Sequence, residues 1–305
     1  MTRPALLACD WGTTNLRAWA LDDAGRVLAQ HDFPFGVSRL PPGEAAHRFT
    51  QDVRPALQAD ATPAILCGMV GSNLGWTLAP YADCPTSLAD LAAQMVSVPA
   101  GGGAVRIVPG VRCAGFNGRG DVMRGEETQL FGWLESHPEW ARGRHVVCHP
   151  GTHTKWMLID EGALAGFVTA MTGELFALLG QHSVLRSDTP PTDMTAFDEG
   201  VAAAGDGDAL AARLFTARAR IVGQGAAAET GSSYLSGLLV GADVAATPRL
   251  LGVEGVSSVA LLGDARLCAL FERALRHRGV ATETFSGEAA AVTGLFALHR
   301  LETST

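Results

Sequence analysis

Residues 5–17 read A-L-L-A-C-D-W-G-T-T-N-L-R. An apolar run from Ala5 to Cys9 delivers Asp10 to a tight turn holding Gly12, Thr13, Thr14 and Asn15. An alternating run then leads away, with Leu16, Ala18 and Ala20 set against Arg17 and Trp19. The pattern predicts strand, turn, strand, with Asp22-Asp23-Ala24-Gly25 turning into a third strand at Arg26–Gln30. A carboxylate at a strand end beside a turn rich in free N–H groups and hydroxyls can cradle phosphate oxygens and hold a hydrated Mg²⁺. An ordinary hairpin whose turn residues serve only the backbone has the same outline.

The chain repeats this stretch once. Leu7-Ala8-Cys9-Asp10-Trp11-Gly12-Thr13-Thr14 aligns with Val146-Val147-Cys148-His149-Pro150-Gly151-Thr152-His153. Both are apolar strands entering a Cys-x-x-Gly-Thr turn, and both leave through a second strand (Leu16–Leu21; Lys155–Ile159) and an acidic turn. The repeat predicts duplicated domains, each with an N–H-rich hairpin, that grip a nucleotide's phosphate chain from two walls of one cleft. Asp10 is replaced by His149, so the metal-side carboxylate belongs to the first hairpin alone. His153 lies in the second turn and can donate to a phosphate.

Between the hairpins runs D-V-M-R-G-E-E-T-Q-L-F-G-W (121–133). After Gly125 this reads as a helix opening on two carboxylates and burying Leu130, Phe131 and Leu134. The helix macrodipole favours a first-turn Glu whatever its role. Beside two phosphate hairpins, Glu126 is expected to act as general base for an attacking hydroxyl, with Glu127 as the alternative.

Composition narrows the classes. Of 305 residues, 47% are hydrophobic and 18% charged, enough apolar content for a large core. The formal charge of −8 comes without a basic cluster, which argues against nucleic acid as a partner. Cysteines 9, 67, 84, 113, 148 and 268 form no C-x-x-C pair and read as reduced core thiols. His145, His149, His153 and His182 lack metal spacing. No run approaches the ~20 apolar residues of a membrane span, and no signal-peptide pattern opens the chain, so a cytoplasmic location is expected.

The remaining elements follow in order. Gly36 to Pro42 is a loop carrying Arg39, and a helix is predicted from Gly43 to about Ala59, weakened at Pro55. Pro63–Met69 reads as a strand buried on both faces. It empties into V-G-S-N-L-G-W (70–76), where Asn73 and Trp76 are substrate-contact candidates, although Trp76 also reads as a core residue. A helix at Ser87–Val96, a flexible loop at Gly101–Gly103 and a strand at Val105–Pro109 come next. Thr172 is a plausible N-cap for a helix burying Leu175, Leu178 and Leu179. Helices are predicted at Thr195–Ala204, Asp208–Val222 and Glu229–Ala246. In the last of these, Gly237 and Gly241 admit a backbone or a flat ring. A strand at Val256–Leu262 ends at Gly263-Asp264 before a helix to Arg276. A short strand at Ala281–Phe285 and a small-residue-rich helix at Gly287–Leu301, suited to packing across a hinge, close the chain.

Together these elements resemble the sugar-kinase branch of the actin, hexokinase and chaperone ATPase superfamily. D-W-G-T-T-N-L-R (10–17) is similar to its first phosphate motif, P-G-T-H-T-K (150–155) to its second and L-L-G-D-A-R (261–266) to its adenosine motif. Asp264 stands where a second small residue is usual. R-G-E-E-T-Q-L-F-G (124–132) resembles the segment carrying the catalytic base, where Asp is usual and Glu126 is inferred by position. The 2-dehydro-3-deoxygalactonokinase family is a closer match still, through D-W-G-T-T-N-L-R-A-W (10–19), G-M-V-G-S-N-L-G-W (68–76), V-M-R-G-E-E-T-Q-L (122–130), P-G-T-H-T-K-W (150–156), M-T-G-E-L (171–175) and S-G-L-L-V-G-A-D-V (236–244).

That resemblance implies an α/β, two-lobed actin-like (ribonuclease H-like) fold with mixed central sheets around a nucleotide cleft. It implies ATP- and Mg²⁺-dependent phosphorylation of 2-dehydro-3-deoxy-D-galactonate at the 6-hydroxyl, in galactonate breakdown. Asp10 is then the metal-side carboxylate and Glu126 the base. Gly12, Thr13, Thr14, Asn15, Gly151, Thr152 and His153 bind phosphates, and Gly237, Gly263 and Asp264 bind adenosine. Substrate contacts fall to Arg17, Arg39, Asn73, Trp76, Arg124 and Glu127, one Arg taking the sugar acid's carboxylate. Lobes are expected at 1–118 and 119–305. A kinase for another sugar or sugar acid, a non-catalytic sugar sensor and an ATP-driven activator are the alternatives. No helix-turn-helix precedes Ala5, and the cysteine spacing does not suit an activator's cluster. Homo-oligomerisation is left open.

Overall fold

Leu6, Leu7, Ala8 and Cys9 are all fully buried. A run with no polar alternation is stable as a strand only between two neighbours and two covered faces. The computed structural model, which describes residues 3–115, 118–253 and 255–303, puts it at the centre of a sheet. The first nine strands in chain order are β1 (Leu6–Trp11), β2 (Leu16–Leu21), β3 (Val27–Phe33), β4 (Ala64–Cys67), β5 (Tyr81–Asp83), β6 (Val96–Val98), β7 (Val105–Ile107), β8 (Gly110–Cys113) and β9 (Asp121–Met123). The six-stranded sheet has the order β3-β2-β1-β4-β7-β6, and β5-β8-β9 form a small sheet of their own. β1 runs antiparallel to β2 and parallel to β4, so the sheet is mixed.

The repeat is realised in a second sheet. β10 (Arg144–His149), β11 (Thr154–Asp160), β12 (Ala163–Ala170), β13 (Ser258–Gly263) and β14 (Ala281–Ser286) lie in the order β12-β11-β10-β13-β14. Here β10, β13 and β14 are parallel neighbours. Each meander therefore contributes its third, second and first strands, and the sheet continues through later parallel strands, with β6 added antiparallel at the edge of the first sheet. This is the duplication that the hairpin repeat implied, in the mixed-sheet, actin-like (ribonuclease H-like) fold that the family resemblance implied.

Contacts divide the chain into Met1–Gly143 with Asp160–Ala165 and Gly287–Thr305, and Arg144–Ile159 with Gly166–Ser286. The boundary expected at 118/119 is thus displaced. The reason lies in two helices, Glu126–Ser136 and Gly287–Thr303, which cross through glycines. A Cβ on Gly132 would lie 2.0 Å from the Ala290 carbonyl oxygen, and one on Gly294 would lie 2.2 Å from that of Thr128. Backbones this close bury each other, so both helices stay with the first unit. β9 stays there too, pairing antiparallel with β8.

Local departures have local causes. The helix expected over 43–59 spans 45–56, with a π turn at Phe49–Val53 directly before Pro55. A proline ring crowds the carbonyl of the preceding turn, and a widened turn relieves it. The Gly101–Gly103 loop, expected to be flexible, is clamped. Buried Arg54 donates to the carbonyls of Ala59, Thr62 and Gly103 at 2.7, 2.8 and 2.9 Å. Thr172 is not an N-cap: Met171 holds that place, and the Thr172 hydroxyl points elsewhere. Leu178 is 48% exposed, and Leu175 and Leu179 are only half-buried, so that helix does not bury the face expected. The cysteines are free, with Cys9, Cys67, Cys148 and Cys268 buried.

Candidate active site

Asp10 stands near the end of β1, opposite Arg17 on β2 and beside Cys67 on β4. Its carboxyl is pushed up to about 6 by burial; Arg17 opposes the shift, nearby Glu126 adds to it, and a hydrogen bond with the Cys67 thiol opposes it. Gly68 follows with φ +87°, a left-handed conformation, and a Cβ there would lie 2.8 Å from the Trp11 carbonyl oxygen and 3.1 Å from Asp10 Oδ1. Only glycine leaves room for the carboxylate.

The Glu126–Ser136 helix begins beside this point. Its N-cap Gly125 has φ +116°, and a Cβ on it would meet Gly68 Cα at 3.3 Å. The two leading glutamates have different surroundings. Glu127 is completely buried, and both its oxygens accept from the Gly125 N–H, at 2.9 and 2.7 Å. The Thr128 hydroxyl adds a third bond at 3.2 Å. Burial and the adjacent Glu126 charge push the Glu127 carboxyl up to about 7 against those bonds. Glu126 is half-buried and accepts a longer bond from the Arg124 N–H at 3.2 Å. Glu127 is locked by its own helix start, and Glu126 keeps accessible lone pairs.

Arg124 is the buried cation of this group. Nη2 donates to the Ala79 carbonyl at 2.9 Å, and the guanidinium lies 4.4 Å from the Tyr81 ring centroid. Its Nε and Nη1 are buried with no hydrogen-bond partner among the described residues. The other arginine candidates differ: Arg17 is exposed, and Arg39 is exposed and donates to the Pro34 carbonyl at 3.0 Å. Asn73 is exposed, and Trp76 packs on Phe49 with ring centroids 5.5 Å apart, the core reading.

The first hairpin is closed by Gly12 N–H to the Asn15 carbonyl at 2.9 Å, leaving Thr13, Thr14 and Asn15 exposed. It is braced from residues 36–38. Gly36 N–H donates to the Thr14 carbonyl at 2.7 Å, and Ser38 donates to the Thr13 carbonyl through N–H (3.1 Å) and Oγ (2.7 Å). A Cβ on Gly36 would lie 2.3 Å from Thr13 backbone atoms, so the brace requires glycine. With the hairpin's carbonyls occupied, the N–H groups of Thr13 and Thr14 remain unengaged among the described residues.

In the second unit, Thr152 and His153 are likewise exposed, and the brace is a helix start. Glu174 N–H donates to the Thr152 carbonyl at 2.9 Å, and the Glu174 carboxylate pairs with His153 Nε2. A Cβ on Gly173 would lie 2.5 Å from the Gly151 carbonyl oxygen. Gly263, with φ +151°, ends β13 within reach of Pro150 and His149. Asp264 caps the helix Ala265–His277, accepting from the N–H groups of Arg266 and Leu267 at 3.0 and 3.1 Å. Gly237 does not offer a face to adenosine. A Cβ there would lie 1.9 Å from the Phe197 carbonyl oxygen, because the helix Met194–Ala203 fills that side. The expectation of a ring contact at Gly237 is corrected to helix packing.

The residues missed from sequence are Cys67, Gly68 and Thr128 around Asp10 and Glu127, Tyr81 against Arg124, and Glu174 beside His153. Gly68 and Glu174 lay inside quoted motifs, yet nothing in their spacing showed what they touch. Among the described residues no cluster of three or more His, Cys, Asp or Glu forms a metal cage. Mg²⁺ does not require one, since it usually keeps several waters and takes one or two carboxylates plus substrate phosphates. Hard oxygen donors at Asp10, with a carboxyl held high by burial and by a second anion, fit such an ion.

The family model described as 2-keto-3-deoxy-galactonokinase matches residues 10–298. A protein of Rhizobium meliloti (strain 1021), named a probable 2-dehydro-3-deoxygalactonokinase, is 35% identical over 300 residues, covering 96% of each chain. The 2-dehydro-3-deoxygalactonokinase of Escherichia coli (strain K12) is 34% identical over 291 residues, covering 95% of each. The crystal structure of a Sinorhizobium meliloti protein provisionally given that name superposes with a TM-score of 0.84 at 34% identity, covering 97% of this chain and 98% of that one. The chain belongs to the 2-keto-3-deoxy-galactonokinase family.

Proposed function

We propose that the protein transfers the γ-phosphoryl group of ATP to the 6-hydroxyl of 2-dehydro-3-deoxy-D-galactonate, a step of galactonate breakdown in the cytoplasm. The observation that carries this reading is the unequal pair at the start of the Glu126–Ser136 helix. One carboxylate is locked by Gly125 N–H, and the other is half-exposed beside Asp10, in a chain matched by the family model over 10–298. Phosphoryl transfer asks a protein for positioning, charge neutralisation and a proton acceptor more than for covalent chemistry.

Glu126 accepts the hydroxyl proton. Asp10 would hold Mg²⁺ through water or directly, and the ion would supply neutralisation of charge on the phosphates. The Gly12–Asn15 turn binds phosphate oxygens through the free N–H groups and hydroxyls of Thr13 and Thr14, with Gly12 N–H and the Asn15 carbonyl closing the turn. Gly151, Thr152 and His153 bind others, His153 being held by Glu174. Gly263 and the Asp264 helix start serve the adenosine. Arg124 is favoured over Arg17 and Arg39 for the sugar acid's carboxylate, because a buried guanidinium with unpaired N–H groups gains most from a forked anion. Asn73 contacts the carbon chain, Trp76 stays in the core against Phe49, and Glu127 positions Gly125.

ADP release measured over a panel of 2-keto-3-deoxy sugar acids tests the assignment. Turnover is expected with 2-dehydro-3-deoxy-D-galactonate well above its stereoisomers. No turnover with any sugar acid, in a preparation that still binds ATP, would contradict it.

A further inference from the structure

The helix Gly231–Leu250 is buried along most of its length, lined by small and apolar residues, and yet carries an aspartate in the middle. Asp243 is 5% exposed. A buried carboxylate is costly unless each oxygen is hydrogen-bonded, and this one takes three bonds. Oδ1 accepts from the Trp156 indole at 2.9 Å and the Thr247 hydroxyl at 2.7 Å, and Oδ2 accepts from the Thr172 hydroxyl at 2.5 Å. Burial raises its carboxyl above the ordinary aspartate value, and the three hydrogen bonds hold it down.

Two of the three donors lead to the second hairpin. Trp156 lies on β11, the strand that leaves the hairpin. Thr172 is the first residue of the helix Thr172–His182, and its hydroxyl is not spent on capping that helix. The next two residues, Gly173 and Glu174, are those that back the hairpin. Gly173 lets Gly151 and Thr152 approach, and Glu174 binds the Thr152 carbonyl and His153. One carboxylate therefore clamps both the strand that exits the hairpin and the helix start that supports it.

We infer that Asp243 is a positioning residue for ATP, acting through Thr172 to fix the Gly151–His153 hairpin. The inference rests on the reading of that hairpin as a phosphate site. Asp243 touches no substrate. It sets where Glu174 and Gly173 stand, and hence how the hairpin's N–H groups and His153 are aimed.

Thr172→Val keeps shape and removes the hydroxyl, Thr172→Ser restores it, and Asp243→Asn removes the charge at the node. Steady-state kinetics with both substrates, ADP binding by calorimetry and thermal melting are compared for each variant, with His153→Ala alongside. The expected result for Thr172→Val is a KM for ATP and a Kd for ADP raised about tenfold, an unchanged KM for the sugar acid, and near-complete rescue in Thr172→Ser. Asp243→Asn is expected to move the same two constants; if it does not fold, Thr172→Val carries the test. A lowered melting temperature with unchanged ATP and ADP constants in Thr172→Val, while His153→Ala raises them, would overturn the tether and leave Asp243 a purely structural residue. Unchanged constants in His153→Ala as well would overturn the phosphate reading and the tether with it.

Discussion

The two hairpins share a strand, a Cys-x-x-Gly-Thr turn and a second strand, but they are held and equipped differently. The first is braced by a loop, with Gly36 and Ser38 donating to the Thr13 and Thr14 carbonyls. It carries Asp10, with Glu126 near enough to raise its carboxyl. The second is braced by a helix start at Gly173 and Glu174, carries His149 in place of Asp10, and has its histidine tied to a carboxylate. The same hairpin is thus built twice, and the two carboxylates Asp10 and Glu126 lie together at one copy. The lesson is that one backbone outline can recur while its braces and flanking side chains differ.

The largest way to break that comparison is to equalise the copies. Asp10→Asn is expected to lower kcat by ~10²–10³, whereas His149→Asn costs no more than about threefold. Comparable losses at both positions in kcat measurements would mean that the copies share the chemistry.

Next come the braces. A methyl at Gly36 would sit 2.3 Å from the Thr13 backbone, and one at Gly173 2.5 Å from the Gly151 carbonyl oxygen. Gly36→Ala and Gly173→Ala should each cost about 1–3 kcal/mol by chemical denaturation, the range for forcing extra atoms into a packed site. The two should separate kinetically: Gly36→Ala should depress kcat, and Gly173→Ala should chiefly raise KM for ATP.

The smallest effect is a pH slope. The Glu127 carboxyl is raised from 4.5 to about 7, so its contribution to stability is complete below the unfolded value and lost as pH rises through the folded one. Between pH 5 and pH 8 the unfolding free energy should fall by on the order of 2 kcal/mol from this group. Glu127→Gln should flatten that fall without abolishing it, because Asp10, raised to about 6, contributes with the same sign. A slope unchanged in Glu127→Gln would place the titration elsewhere.

Much of this was readable in the chain because the functional groups sit in short contiguous motifs. Asp10, the glycine turn and the Glu126-Glu127 pair each announce their chemistry within a few residues, and the repeat of the turn told of the duplicated sheets. What was hidden depended on distant partners. Asp243 and Thr172 lie 71 positions apart, and Thr172 therefore read as an N-cap, the local role its residue type suggests. Gly237 read as room for a backbone or a ring because sequence shows a missing side chain and not which of the two fills the space, here the backbone at Phe197. The strands β5, β8 and β9, three or four residues long, are too short to show a period of two. The placement of Leu178 at the surface follows from the packing of its helix and not from its own apolar character.

The proposed path takes the proton out through Glu126 while Glu127 serves the backbone. Single-turnover phosphoryl transfer at saturating ATP and sugar acid, with ATP affinity measured on the same samples, tests it in Glu126→Gln and Glu127→Gln side by side. Transfer slowed by ~10²–10⁴ in Glu126→Gln, with ATP affinity nearly unchanged and a much smaller loss in Glu127→Gln, is the predicted result. Near-normal transfer in Glu126→Gln would contradict it.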